Sequence, residues 1–151
     1  MITAPVKPVI PPPRMSPADV ELLNIAQELL GRVWVDGRHQ VATALRTAAD
    51  GKIYTGVHLE GSCRRSSICA EGVAMGAARA GLDPGAPLSI EAVVSVQIKP
   101  ADQFRIIAPC GVCRELISDY SPDTRVWLTS EAGIHAMAAL DLLPCKTRRI
   151  W

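Results

Sequence analysis

Apolar residues recur at helical spacing through Val20, Leu22, Leu23, Ile25, Ala26, Leu29 and Leu30, behind Ser16-Pro17 and ahead of Gly31. A serine cap, a proline in the first turn and a closing glycine are the punctuation of a helix. The period then changes. Residues 41–47 and 52–59 are strand-like, and the Asp50-Gly51 pair between them is a strong hairpin signal. Residues 69–80 are small and apolar throughout and close at Gly81 with Pro84 beyond, which predicts a buried helix. Residues 89–98 read as a strand, 110–119 as a helix behind Pro109, 126–129 as a strand, and 136–143 as a short helix stopped by Pro144. Helices alternating with strands around an early hairpin point to a layered α/β/α domain with a mixed sheet. The proline-rich residues 1–15 suit neither helix nor central strand and are expected to form an extended arm, leaving 16–151 as a single domain.

Composition narrows the function classes. At 151 residues the chain is long enough for one domain with a sizeable core. Its 16 basic and 15 acidic residues nearly cancel and form no like-charge run, which favours a small-molecule ligand over a polynucleotide. No apolar stretch approaches the roughly 18 residues of a membrane span, and the amino terminus lacks the layout of a secretory signal. A soluble, cytoplasmic protein without a membrane partner is expected. Five cysteines, an odd number and partly in Cys-x-x-Cys spacing, suit metal binding in a reducing compartment better than a disulfide framework.

Cys69-Ala70-Glu71 and Pro109-Cys110-Gly111-Val112-Cys113 supply three soft thiolates and one spare carboxylate. Catalytic zinc sites keep three protein ligands and leave the fourth tetrahedral position open, whereas structural sites are closed by four. Each half of the motif begins a predicted helix, where unpaired N–H groups and partial positive charge favour a thiolate. Cys110 and Cys113 are three apart and face the same side of a first turn. Two other readings stay open at this stage: a thioredoxin-like redox pair, and a closed zinc module with Cys63, Cys145 or His58 as fourth ligand. Glu71 likewise has two readings, a proton carrier beside the metal or an acidic residue that complements a helix dipole.

Taken together, Asp50–Glu60, Ile68-Cys69-Ala70-Glu71, Ala108–Arg114 and Leu142-Leu143-Pro144 resemble the small zinc-dependent cytidine deaminases, with blasticidin S deaminase as a relative, over about residues 39–144. The resemblance implies a three-layer α/β/α fold with a mixed five-stranded sheet. It also implies a zinc-dependent hydrolase that releases ammonia from a free nucleoside or similar amino-heterocycle, cytidine or deoxycytidine foremost and a nucleoside antibiotic as the alternative. Zn2+ is the implied cofactor, Cys69, Cys110 and Cys113 its ligands, and Glu71 the acid–base residue. His58 and Glu60 fall where the family holds ribose hydroxyls with Asn-x-Glu. Ala70 falls where a backbone N–H meets the pyrimidine carbonyl, and the carbonyl of Ala108 where the leaving amine is faced. Arg114 is the candidate to offset the negative charge of a three-thiolate site from just outside it. A homotetramer that completes its sites across subunits is the implied assembly.

Departures from the pattern bear on the substrate. His58 replaces an asparagine, and His39 stands where a phenylalanine stacks on the base. Arg64, followed by Arg65, occupies the region of a tyrosine that approaches a neighbouring site, and arginines can read a carboxylate or phosphate. Cys63 and Cys145 have no assigned partner and are expected to be packing residues or adventitious thiols. His135 is expected in an exposed position ahead of the last helix. Trp34, Trp127 and Trp151 are too scattered for a nucleic-acid stacking platform, which disfavours a polynucleotide-editing enzyme.

Overall fold

The computed structural model describes residues 5–98 and 102–150, so Trp151 and the first four residues of the arm lie outside the described residues. Helix α1 (Pro17–Val33) begins where the sequence places it, and the Ser16 hydroxyl accepts from the Asp19 N–H at 3.2 Å. Its inner face buries Leu22, Leu23, Ala26 and Leu30 against one side of the sheet. Each large aliphatic side chain fully removed from water contributes about 1.5–3 kcal/mol.

Strands β1 (Val41–Thr47), β2 (Ile53–Val57), β3 (Ile90–Ile98), β4 (Phe104–Ile106), β5 (Arg125–Ser130) and β6 (Gly133–Ala138) form one mixed sheet. The order is β2-β1-β3-β5-β6, with β4 paired to β3. Only β3 and β5 run parallel; the other pairs are antiparallel. Helices α2 (Ala70–Gly81) and α3 (Gly111–Tyr120) cover the face opposite α1, so the layering is α/β/α. Strand β1 is buried along its whole length because both faces are covered: Ala42 and Ala44 point towards α1, and Leu45 towards the α2 and α3 side.

The sheet has six strands rather than five, because Phe104–Ile106 adds a short strand beside the end of the central strand β3. The parallel pairing of β3 with β5 is confined to Ala92 and Val93, and β4 occupies the stretch from Val96 to Ile98. Residues 136–143 are not a helix. Gly133–Ala138 is strand β6, paired with β5 across a tight turn, and only Ala139–Leu142 coils into a 3-10 turn. His135 therefore sits half-buried within an edge strand rather than ahead of a helix. The described part of the arm packs against the domain. Val9 and Met15 enter the α1-side core, the Val9 N–H donates to Gln27 at 2.7 Å, and Lys7 pairs with Gln103 beside β4.

One buried ionic cluster locks α1 onto the sheet. Asp19 accepts from Arg46 (2.6 Å), Arg125 (2.7 Å) and the Trp127 indole (2.8 Å), while Arg46 also reaches Glu91 at 2.7 Å. Burial is the largest influence on the Asp19 carboxyl and pushes it up, yet these donors together hold it below the usual carboxylate range. Among the described residues no helix is long and apolar enough to cross a membrane.

Helix α2 lies directly on β2, and Gly56 is what permits the approach. A side-chain carbon at position 56 would stand against the Ala70 carbonyl and 2.5 Å from the Ala74 nitrogen. Because the obstacle is helix backbone, Gly56→Ala is expected to lift the start of α2, destabilising the protein by at least the ~1–3 kcal/mol typical of overpacking. The displaced segment carries Cys69, so zinc content is expected to fall as well. Thermal melting and metal analysis of the variant check both effects.

Candidate active site

Both metal-motif segments end in helix starts. Cys69 is the cap residue of α2 and Cys110 the cap residue of α3, with Cys113 in the first turn of α3. Both capping cysteines have extended rather than helical backbone. The loop that delivers Cys110 is fixed from two sides. The Ile107 N–H donates to the Ser95 carbonyl at 3.0 Å, and the Arg114 guanidinium donates to the carbonyls of Pro109 (2.8 Å) and Leu142 (3.3 Å). Arg114 thus bears on the cysteines through the backbone it holds.

The sulfurs of Cys69, Cys110 and Cys113 lie within 4.8 Å of one another. Cys69 and Cys110 are 3.6 Å apart, close to the ~3.8 Å edge of a tetrahedron with metal–sulfur bonds of about 2.3 Å. Among the described residues Cys63, Cys145 and His58 do not join this cluster, which leaves three ligands and disfavours a closed structural site. Cys63 and Cys145 are exposed and so do not serve as packing residues.

The polypeptide alone leaves the cluster electrically incomplete. Burial pushes the Cys113 thiol far up, and the charges of Glu71, Cys110 and Cys69 push it further. Cys69 is raised by burial first and then by its contact with Cys110. Cys110 moves the other way: burial is its largest influence, but N–H groups of Cys113 and Val112 and hydrogen bonding with Cys69 bring it below the usual range. A divalent cation supplies the charge that lets all three exist as thiolates. The donor set therefore fits zinc.

Glu71 stands in the first turn of α2 and is 4% exposed. Its Oε2 is 3.5 Å from Cys113 Sγ, and its Oε1 accepts from the Ser95 hydroxyl at 3.0 Å. Ser95 is in turn 2.7 Å from the Thr43 hydroxyl. An acidic residue that merely complemented a helix dipole would face solvent; this one is aimed at the sulfur cluster. Ser95 and Thr43 are the site residues that the sequence reading missed. Their signal was a polar side chain on the inner face of a strand buried on both sides, where it needs a partner.

The three cysteines open into a cleft of about 880 Å³ that is also lined by His39, His58, Glu60 and Arg65. That volume suits a nucleoside-sized ligand. His58 is half-buried in the cleft wall, not in the core, and its ring stands edge-on to His39 with centroids 5.1 Å apart. His39 contacts Gln97 at 3.2 Å. Ala70, fully buried, begins α2 beside the cysteines, and Ala108, in the loop to Cys110, packs partly buried against the core on the α2 and α3 side. The side chain of Arg64 lies outside the described part of the structure.

Comparison with known proteins agrees with this geometry. The chain is 33% identical to blasticidin-S deaminase of Bacillus cereus over 139 residues, covering 89% of this chain and 96% of that protein. It is 31% identical over 109 residues to cytidine deaminase of Halalkalibacterium halodurans, covering 71% and 76% of the two chains. Cytidine deaminase from Burkholderia pseudomallei superposes with a TM-score of 0.64 at 28% identity, over 85% of this chain and 98% of that one. The Bacillus anthracis enzyme gives 0.68 at 20% identity, over 84% and 87%, which speaks to the fold alone. No family model matches the chain. With a three-thiol zinc cluster, a buried glutamate aimed at it and relatives of this identity and coverage, the chain belongs to the cytidine deaminase family and is a zinc-dependent hydrolytic deaminase.

Proposed function

We propose that the substrate is a free aminopyrimidine nucleoside, cytidine or deoxycytidine, with Cys69, Cys110 and Cys113 holding zinc and Glu71 moving the proton. The observation that carries this reading is the placement of Glu71 Oε2, 3.5 Å from Cys113 Sγ at a cleft of nucleoside size. Zinc held by these three cysteines would act as a Lewis acid, lowering the pKa of water to about 7. Glu71 takes one proton from the attacking water to the ring nitrogen as the carbon–oxygen bond forms, and then carries the second, from the new hydroxyl, to the departing amine. The carbon–nitrogen bond breaks and ammonia leaves. Glu60 offers its carboxylate to a sugar hydroxyl, His58 and His39 present ring faces and edges to the nucleoside, and the Ala70 N–H and Ala108 carbonyl address the base. Ammonia release across cytidine, deoxycytidine, blasticidin S, adenosine and the free bases tests the assignment; zinc-loaded protein that ignores both cytidine compounds would overturn it.

One observation favours a second reading. Arg65 lines the same cleft, and a guanidinium there rewards a negative or strongly polar group that cytidine lacks. Under the cytidine reading, Arg65→Ala leaves kcat/KM for cytidine within about twofold, because an exposed contact of this kind contributes little. A tenfold or larger loss on a compound turned over faster than cytidine would move the assignment to that compound.

The proposed assembly is a homotetramer. Ile68 and Val112 are exposed apolar residues at the cleft, 50% and 74% accessible in the isolated chain, and Leu59 adds a third nearby in sequence. Apolar side chains around a polar site suit coverage by a neighbouring copy. Light scattering at micromolar concentration is expected to return four times the chain mass; a monomer mass contradicts the assembly.

A further inference from the structure

We infer that Ser95 and Thr43 are positioning residues that fix which oxygen of Glu71 faces the metal centre, an inference that rests on the proton-carrying role proposed for Glu71. Thr43 on β1 and Ser95 on β3 are directly opposed in the antiparallel register, so the sheet itself brings their hydroxyls together. Both are buried, at 0% and 3% exposure, on the face that α2 covers. A serine hydroxyl has one proton to give. Ser95 spends it on Glu71 Oε1, so at the 2.7 Å contact with Ser95 the proton comes from Thr43.

The Thr43 hydroxyl therefore orients Ser95, and Ser95 in turn holds Oε1. This leaves Oε2 as the oxygen towards Cys113. The anchor comes from two central strands, while the glutamate itself comes from a helix start. A carboxylate on two rotatable carbons, held at one oxygen by the sheet, cannot swing its working oxygen away from the cysteines. No buried side-chain polar atom among the described residues lacks a hydrogen-bond partner. The Ser95 carbonyl meanwhile accepts from Ile107, in the loop that delivers Cys110. One residue thus couples Glu71, through its side chain, to the Cys110 loop, through its backbone.

The test uses full-length zinc-loaded protein and the aminopyrimidine nucleoside that the wild type turns over fastest. Ser95→Ala is expected to lower kcat about 10–100-fold, the usual loss when a partner outside a metal site is removed, with KM within about twofold. Thr43→Val, which keeps the shape and removes the hydroxyl, is expected to lower kcat about fivefold, the worth of one net hydrogen bond. Thr43→Ser restores most of that loss, and zinc content stays at the wild-type level in all three variants. A crystal structure of Ser95→Ala is expected to show the Glu71 carboxylate rotated or split between positions. Wild-type kcat in Ser95→Ala and Thr43→Val, with only the melting temperature lowered, overturns the inference. So does a loss confined to KM, or one that Thr43→Ser fails to relieve. Glu71→Gln separates the two levels: if it is inactive while Ser95→Ala is fully active, the positioning inference alone falls. If Glu71→Gln is itself active, the reading of Glu71 falls with it.

Discussion

Glu71→Gln is expected to keep the fold and the zinc and to lose about 10²–10⁴ in kcat, the usual contribution of a positioned acid–base group. This corresponds to about 2.7–5.5 kcal/mol of barrier. The size of the effect follows from what the substitution leaves in place. Glutamine has the same length, its amide oxygen can still accept from Ser95, and the helix start is undisturbed. What disappears is the ability to take a proton and return it. Because Glu71 is buried beside the sulfur cluster, no bulk water or buffer base is placed to substitute for it. Zinc content and melting temperature measured beside kcat separate loss of chemistry from loss of the site. Near-wild-type turnover with zinc bound would remove Glu71 from the reaction.

The parts of the fold that were legible in the sequence are those where local signals and tertiary demand agree. Ser16-Pro17 and a long apolar stripe specify α1 to within a few residues, and Asp50-Gly51 specifies the first hairpin, where Gly51 takes the left-handed φ of 67° that such a turn requires. The segment Ala136-Met137-Ala138-Ala139-Leu140 failed because alanine, methionine and leucine are strong helix formers, whereas pairing with β5 fixes its first half as a strand. The two-residue turn that makes this possible, Glu131-Ala132, is closed by Gly133, the first residue of β6, at φ 89°, and was not read as a hairpin signal. Strand β4 was missed for a different reason: three residues are too few to show a period.

The same division holds in the site. The cysteine spacing and Glu71 could be read directly, because metal ligation demands rare residue types at fixed separations. Ser95 and Thr43 are common residues in strands of small side chains, and their role depends on a register between strands far apart in sequence. Arg114 shows the intermediate case. Its position after Cys113 marked it as relevant, but its hydrogen bonds run to the carbonyls of Pro109 and Leu142, a geometry set by where the 3-10 turn after β6 ends.

Replacement of Cys69, Cys110 or Cys113 by alanine is expected to reduce zinc from about one ion per chain to a small fraction and to abolish measurable turnover. A two-thiolate remnant lacks the donors of either kind of zinc site. Cys113→Ala is expected to have the largest effect, because its sulfur is buried between Glu71 and the other thiols and leaves no room for a replacement ligand from solvent. Metal that binds only the folded state also stabilises it, by about 4.1 kcal/mol at a thousandfold excess over Kd. Wild-type protein is therefore expected to melt at a distinctly lower temperature once a chelator has removed its zinc, while the three variants should show little chelator effect. That comparison needs no substrate and so stands apart from every question of specificity. Retention of full zinc by all three variants would sink the ligand assignment. A chelator-induced shift in the variants as large as in the wild type would place the stabilising metal elsewhere in the chain.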